Sequence, residues 1–365
     1  MPRLALYRLP MAHPADLSAL AALLEAGTLQ ATQVRAVIGK TEGNGGLNDF
    51  TRGYFTQSLM LLLAQHGGEA AATLAARIPC VLSGGTEGVL SPHYTVFAAV
   101  PGAGSGGLAI GTAFSPPTPP WQVGRQAQVA AVASAVRAAM AQAGIASAAD
   151  VALVQVKAPA VQPAALRPQD PAPRSSAAGP AMAYSRAAAA LGVALALGEV
   201  AASADLEAAL LHDFSLYSNR ASISSGIEVT CNEVVVFGTA PGWAPGPRLA
   251  VRPLADALDL PAVCAAFAAA GLPATPQLAP ADRARLGCVL VKGEPDRRGA
   301  IRGARHTMLG DTDLDPQRHL RGALGGLVAG VAGDGRLFVS GGAEHQGPEG
   351  GGLIAVFATG QPAGG

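Results

Sequence analysis

Lysine is nearly missing from this chain: of 25 basic residues among 365, three are lysine and the rest arginine. A guanidinium keeps its proton at neutral pH, whereas an amine can lose it when desolvated. Surface charge is therefore carried by arginine, and lysine is kept where a neutral amine or a compact ammonium is needed. Charge of either sign is scarce, at 14% of residues with a formal net charge of zero, which removes the electrostatic reason to expect nucleic acid or an anionic membrane as partner. The four cysteines form no CxxC pair, so buried thiols in a reducing compartment, the cytoplasm, are expected instead of disulfides or zinc. The seven histidines contain no HExxH and no paired metal spacing, and no Ser-His-Asp triad can be assembled. The N-terminus lacks a charged start followed by an apolar core and does not read as a signal peptide. The apolar run from Ala187 to Leu197 is too short to cross a bilayer and is expected to be a buried helix. Half of the residues are hydrophobic, enough for two or three domains with sizeable cores.

What is present is a pattern repeated three times. Ser83-Gly-Gly-Thr-Glu87, Ser224-Ser-Gly-Ile-Glu228 and Ser340-Gly-Gly-Ala-Glu344 each join a serine, a glycine-containing turn and an acid four positions on. Upstream of each lies a hydrophobic run ending in one of the three lysines, Lys40, Lys157 and Lys292. Between lysine and serine stand Arg52, Arg186 and Arg321, separated by 134 and 135 residues. A period this long is a domain-sized duplication, since solenoid periods are roughly 20 to 50 residues. Three homologous units of α+β type are expected, 1–104, 105–248 and 249–365, related by a pseudo-threefold axis.

Each unit reads as the same order of elements. In the first, a strand at 3–9 is followed by a helix from Pro14 to Gly27, a strand ending at Lys40, an Asn- and Gly-rich loop, and an apolar helix from Ser58 to His66. A run into Ser83 and a β-branched strand from Tyr94 then close the unit. The second repeats this with a helix from Gly124 to Gly144, a strand from Val151 to Lys157, a Pro-rich loop from Pro159 to Pro180 and an apolar helix begun by Arg186. The third has a helix from Pro261 to Gly271, the strand ending at Lys292, and Arg321 at the head of a Gly- and Ala-rich helix. Gly102-Ala-Gly-Ser-Gly-Gly107 satisfies GxGxxG, but a strand follows it where a phosphate-binding helix would be needed, so it reads as a linker.

Three lysines, three arginines and three serine turns around one axis make a site for a small, polar, roughly threefold ligand. Guanidinium suits carbonyl oxygens, serine hydroxyls and turn N–H groups can hold an oxyanion, and a neutral lysine can take a serine proton. His93 and His345, each just behind a serine turn, are read as structural. The loop Gly341–Gly352 is rich in free carbonyls; it suits an oxygen-ligated Mg²⁺ or Ca²⁺ and equally a flexible glycine loop.

These turns, read with their continuations Ser83-Gly-Gly-Thr-Glu-Gly-Val-Leu-Ser-Pro-His93 and Ser340-Gly-Gly-Ala-Glu-His-Gln-Gly-Pro-Glu-Gly-Gly-Gly352 and with the three lysines, closely resemble the cyanuric acid hydrolase and barbiturase family over essentially the whole chain. The resemblance implies a central β-barrel with outer helices, Ser-Lys dyads around the axis, and hydrolytic opening of a cyclic imide without a catalytic metal, to carboxybiuret and then biuret and CO₂. It implies Lys157 and Ser224 as the catalytic pair. It places Lys40, Lys292, Arg52, Arg186, Arg321 and the turns Ser83-Gly84, Ser224-Ser225 and Ser340-Gly341 on the substrate. A structural Mg²⁺ at Glu294, Ala343, Gln346, Gly347, Pro348 and Gly351 and a homotetramer are also implied. Ser225 departs from the glycine of the other two turns. Barbituric acid is the alternative substrate within the family, and a binding protein for a threefold heterocycle is the alternative outside it.

The three lysines differ in one local respect. Glu42 and Glu294 stand two residues after Lys40 and Lys292, on the same face of an extended strand, whereas Lys157 precedes Ala158-Pro159. A neighbouring carboxylate favours ammonium, so Lys157 is expected to be the neutral amine and the general base, with Ser224 its nucleophile.

Overall fold

A computed structural model describes residues 1–360. The first sheet is built from β1 (Pro2–Pro10), β2 (Val34–Thr41), β3 (Cys80–Gly84) and β4 (His93–Pro101). The second has β5 (Gly107–Phe114), β6 (Val151–Pro159), β7 (Ala221–Gly226) and β8 (Glu233–Ala240). The third has β9 (Arg248–Leu254), β10 (Leu286–Gly293), β11 (Phe338–Gly341) and β12 (Gly352–Ala358). All three share one strand order, first–fourth–second–third, with antiparallel pairs except between second and third, which run parallel. A parallel pair requires a crossover, and in each sheet a long helix supplies it. The sheets are separate hydrogen-bonded ladders: among the described residues they do not close into the single barrel that the resemblance implies.

Helices α1 (Ser18–Glu25), α2 (Thr51–Gly67), α3 (Gln126–Ala143), α4 (Ala178–Ala196), α5 (Leu260–Ala269) and α6 (Pro316–Ala332) flank the sheets. In α2 the buried residues Arg52, Phe55, Leu59, Met60 and Leu63 recur at helical spacing and make one stripe. It starts at Thr51, beside the Arg52 that opens this element in the sequence and two turns before Ser58, and Asp49 accepts the Thr51 N–H at 3.1 Å. Conversely α1 begins four residues after Pro14, since Asp16 accepts from the backbone of Ala12 and Ser18 and holds the chain in a turn. Arg186 and Arg321 are not helix heads. Arg186 lies in the middle of α4, whose first turns come from the end of the Pro-rich segment, and Arg321 lies in the second turn of α6, capped by Asp315.

Helix α4 is buried nearly all round from Ala187 to Leu191, as its unbroken apolar run requires. Gly192 lets it lie close against α3: a Cβ there would meet Val129 O at 2.7 Å. The central core draws on all three sheets. Phe97, Phe237 and Phe357, one from each closing strand, pack against one another with ring centroids 5.0, 5.5 and 5.1 Å apart, within the range of favourable aromatic pairs. Of the other main clusters, one belongs to the first sheet and its helices, one to the third sheet and its helices with Leu90 of the first added, and one to α3, α4 and the segment that follows α4. The GxGxxG segment joins β4 to β5, as a linker should. Cys80 and Cys288 are buried, Cys231 and Cys264 partly so, and all four are free thiols.

Candidate active site

The parallel pairs bring lysine and serine together. Register places Lys40 beside Ser83, Lys157 beside Ser224 and Lys292 beside Ser340. Neighbours in register share a face of the sheet, so each unit presents one amine and one hydroxyl side by side. The serines line a cavity of about 510 Å³ together with Arg52, Arg186, Arg321, Gly84, Ser225 and Gly341. The lysines stand behind them, wholly buried.

Their hydrogen bonds are not equivalent. Lys40 Nζ donates to Ser83 Oγ at 3.2 Å, and Lys292 Nζ to Ser340 Oγ at 3.0 Å. Lys157 Nζ is turned to Glu228 Oε1 at 2.6 Å and Leu82 O at 2.8 Å. Ser224 Oγ lies 3.3 Å from Ser340 Oγ instead. This reverses the charge argument drawn from local sequence. Glu42 is exposed and Glu294 pairs with Arg297 at 2.9 Å, so the acids two residues along give Lys40 and Lys292 no ion pair. Lys157, expected to be free of acid, is the lysine with a carboxylate in contact. The acid comes from the turn after β7, four residues beyond Ser224, and offset within a strand carries no information about it.

The electrostatics follow. Burial pushes Lys40 and Lys292 well below the usual lysine range, with Arg321 beside the first and Arg186 beside the second adding to the effect. Burial also lowers Lys157, but Glu228 pushes back and leaves it at about 8. Against the upward push of burial, Lys157 and Arg52 hold Glu228 below the usual carboxylate range. Burial thus favours the neutral amine at Lys40 and Lys292, whereas Lys157, beside Glu228, exchanges its proton at about 8.

The turn acids had been legible only as a repeated letter. Each pairs with an arginine from another sheet's helix: Arg52 Nε with Glu228 at 2.7 Å, Arg186 Nη2 with Glu344 at 2.6 Å and Arg321 Nη2 with Glu87 at 2.5 Å. The order is cyclic, first to second, second to third, third to first. Arg186 and Arg321 bind their acids through two nitrogens. Arg52 spends its remaining nitrogens on Asp49 and Gly46 O, which closes the Asn44–Asp49 loop over it. These pairs also explain the third residue of two turns: Gly85 and Gly342 have φ of +94° and +75°, and a Cβ at either would collide with the adjoining guanidinium.

Ser225 has a separate task. Its Oγ donates to Met182 O at 3.2 Å and accepts from Arg186 Nη1 at 3.3 Å. The two strand-equivalent glycines could not carry a side chain, because Cβ atoms there would run into Asp49 at Gly84 and Gln317 at Gly341. His93 and His345 are structural in the sense expected: His93 Nδ1 lies 2.9 Å from Ser91 O, and His345 Nε2 accepts the Leu211 N–H at 3.1 Å.

The implied cation residues fall in one place. Glu294 follows β10, its N–H donates to Gly351 O at 3.3 Å, and the loop carrying Ala343, Gln346, Gly347 and Pro348 leads back to Gly351. Among the described residues no group of three or more His, Cys, Asp or Glu could hold a metal. Any cation here would rest on the Glu294 carboxylate, the Gln346 side chain and main-chain carbonyls, a donor set that suits a hard ion. Burial and the nearby Glu344 raise Glu294 above the usual range, so the charge of a cation would be welcome. Gln346 Oε1 already accepts the Ile223 N–H at 2.7 Å, which links this loop to the strand bearing Ser224.

Comparison with known proteins fits this geometry. Residues 5–359 match the family described as amidohydrolase ring-opening protein. A cyanuric acid amidohydrolase of Azorhizobium caulinodans is 45% identical over 98% of this chain and 99% of its own, and one of Methylobacterium sp. (strain 4-46) is 48% identical over 98% of each. A solved cyanuric acid hydrolase superposes with a TM-score of 0.93 at 40% identity, covering 99% of this chain and all of that one. The crystal structure from A. caulinodans gives 0.90 at 44%, covering 98% and 99%. This chain therefore belongs to the amidohydrolase ring-opening family and is a hydrolase acting on a cyclic amide.

Proposed function

We propose that the protein hydrolyses cyanuric acid, opening the s-triazine ring to carboxybiuret, which then loses CO₂ to leave biuret. The observation that carries this reading is the triplicate Lys-Ser pair on one cavity, ringed by three arginines, since cyanuric acid presents three equivalent carbonyls to three equivalent sets of donors. Relatives named for that substrate at 45–48% identity support it. The repeated strand order, the cyclic Arg-Glu pairs and the Phe97-Phe237-Phe357 cluster support three homologous units about a pseudo-threefold axis.

In this mechanism Ser224 is the nucleophile and Lys157 its base and acid. Lys157 takes the Oγ proton as Oγ attacks a ring carbonyl; the C–N bond breaks and the departing ring nitrogen receives that proton. Water then attacks the acyl-enzyme and gives a proton to Lys157, which passes it to the departing Ser224 Oγ as the C–Oγ bond breaks and the ring-opened acid is released. An amine near 8 suits both directions of transfer, because acid–base catalysts work best with a pKa near the working pH. Lys40 and Lys292, each already bonded to its serine, are donors that hold Ser83 and Ser340 on the other carbonyls. Breaking the Lys157–Glu228 contact toward Ser224 belongs to substrate binding. Arg186 and the turn N–H groups receive the developing oxyanion.

No catalytic metal enters this scheme. A cation at Glu294 and the 343–351 carbonyls would be structural, holding the loop behind Ser340. Assembly as a tetramer in the cytoplasm completes the proposal, with four free thiols suiting a reducing compartment. Among the described residues no helix is long and apolar enough to cross a membrane.

The test is hydrolysis of cyanuric acid and barbituric acid by the purified protein and by single Ser→Ala and Lys→Ala variants. Ser224→Ala and Lys157→Ala are expected to abolish kcat while ligand binding persists. Turnover retained in Ser224→Ala and lost in Ser83→Ala or Ser340→Ala moves the nucleophile to another unit. Tight binding with no turnover of either compound favours a binding protein.

A further inference from the structure

Each central lysine has a second register partner, on the closing strand of its sheet. Opposite Lys40 is His93, opposite Lys157 is Glu233, and opposite Lys292 is Leu353. Directly opposed residues of an antiparallel pair lie on the same face, so Glu233 flanks the Lys157 side chain. Its Oε2 accepts the Cys80 N–H at 2.8 Å, at the start of β3 in the first sheet.

The charges around the three lysines are otherwise matched. Each has one turn acid and one arginine from another unit: Glu87 with Arg321, Glu228 with Arg52, Glu344 with Arg186. The further acids near Lys40 and Lys292 have arginines of their own, Asp49 with Arg52 and Glu294 with Arg297. Among the described residues no basic side chain pairs with Glu233. Lys157 therefore differs from the other two lysines in two ways: its direct contact with Glu228 at 2.6 Å and this second acid opposite it on β8.

We propose that Glu233 is a positioning residue for Lys157: held opposite it across the β6–β8 ladder by the Cys80 N–H, its carboxylate places a second negative charge beside that amine and, with Glu228, favours its ammonium form. The role rests on the reading of Lys157 as base and acid, and it answers what sets this lysine apart. Four other groups face the pair. Arg52, from the start of α2, opposes ammonium formation, and Glu228, from the turn after β7, favours it. Burial holds the thiols of Cys80, from β3, and Cys231 protonated, the first well above its usual range and the second at about 11. Glu233 itself is raised to about 7, burial outweighing its bond to Cys80. The Lys157 ammonium in turn favours the charged form of Glu233, so each group supports the charge of the other.

A chain with three lysines makes the test direct. Protein labelled with ¹³C-lysine gives three side-chain signals, assignable by removing one lysine at a time, and each is titrated in the unaltered protein and in Glu233→Gln. The glutamine keeps an acceptor for Cys80 and loses only the charge. The Lys157 midpoint is expected to fall by about one pH unit, with Lys40 and Lys292 unmoved, and the acid limb of kcat/KM to move down with it. Glu233→Asp should restore the midpoint. Glu233→Leu, the residue type found opposite Lys292, carries the same expectation as the glutamine if that variant does not fold. An unchanged Lys157 midpoint, or an equal shift of all three lysines, overturns the proposal. Turnover retained in Lys157→Ala instead overturns the catalytic reading, and the NMR titration still decides the influence of Glu233.

Discussion

Replacing Glu344 by alanine tests the cyclic ion pairs at the most deeply buried of their three acids. Arg186 donates to Glu344 at 2.8 Å from Nε and 2.6 Å from Nη2, and the two side chains are 10% and 3% exposed. Without the acid, the guanidinium keeps the 3.3 Å contact to Ser225 and little else to offset its burial. Leaving one member of a buried pair uncompensated costs about 3–5 kcal/mol. Glu294 moderates this, because Glu344 is one of the charges that raise it, and losing a like charge is favourable. The expected loss is therefore at the low end, about 3 kcal/mol, or roughly a hundredfold in the folding equilibrium. The control is Glu69→Ala, which removes a pair with Arg77 of similar length, 2.7 Å, between side chains 38% and 39% exposed; it should cost at most about 1 kcal/mol. Urea unfolding at neutral pH, followed by circular dichroism, compares the two. Burial pushes Glu344 up, but Arg186 outweighs it and holds the folded value below the usual 4.5. The pair's contribution is thus fully present above about 4.5 and lost as pH falls through the lower folded value. The gap between variant and parent should close in acid. Equal costs for Glu344→Ala and Glu69→Ala would refute the account of these pairs as buried struts between units.

Ser225→Gly should keep kcat near that of the parent, because Ser225 Oγ is committed to Met182 O and Arg186; losing those bonds, each worth about 0.5–1.5 kcal/mol, should raise KM by roughly twofold to tenfold, read from steady-state kinetics on cyanuric acid. His93 is lowered by burial to about 4, so below the ordinary 6.5 the unfolded chain takes a proton that the folded one refuses. Stability should fall as pH drops from 6.5 toward 4, and His93→Asn should remove that component when unfolding is measured across the window. Mild chelation should leave initial turnover unchanged while lowering thermal stability, as expected of a cation held by Glu294 and loop carbonyls; immediate loss of turnover with the fold intact counts against it.

Much of this molecule is written in its residue order. Three lysines in 365 residues, each ending an apolar run and each followed by an arginine and a serine turn, mark three units and the residues that meet in the cavity. They are legible because the same pattern recurs at one period, and because a buried amine is the one use for which arginine could not substitute. Element ends were less legible. Side chains of Asp49, Asp16 and Asp315 decide where α2, α1 and α6 start, and capping depends on turn geometry that periodicity does not register.

Tertiary structure alone decided which charges meet. The acid that contacts Lys157 is Glu228, and the acid opposite it is Glu233, 71 and 76 positions away, whereas the acids two residues from Lys40 and Lys292 point elsewhere. The turn glutamates stand out in the sequence, yet their partners lie on helices of other units, and nothing in a linear pattern specifies a contact across a cyclic assembly. Local sequence fixes which face of a strand a side chain occupies, because that follows from the backbone's period of two. The charge state of a buried amine depends instead on every group that packing brings within a few ångströms, and those groups are gathered from three sheets.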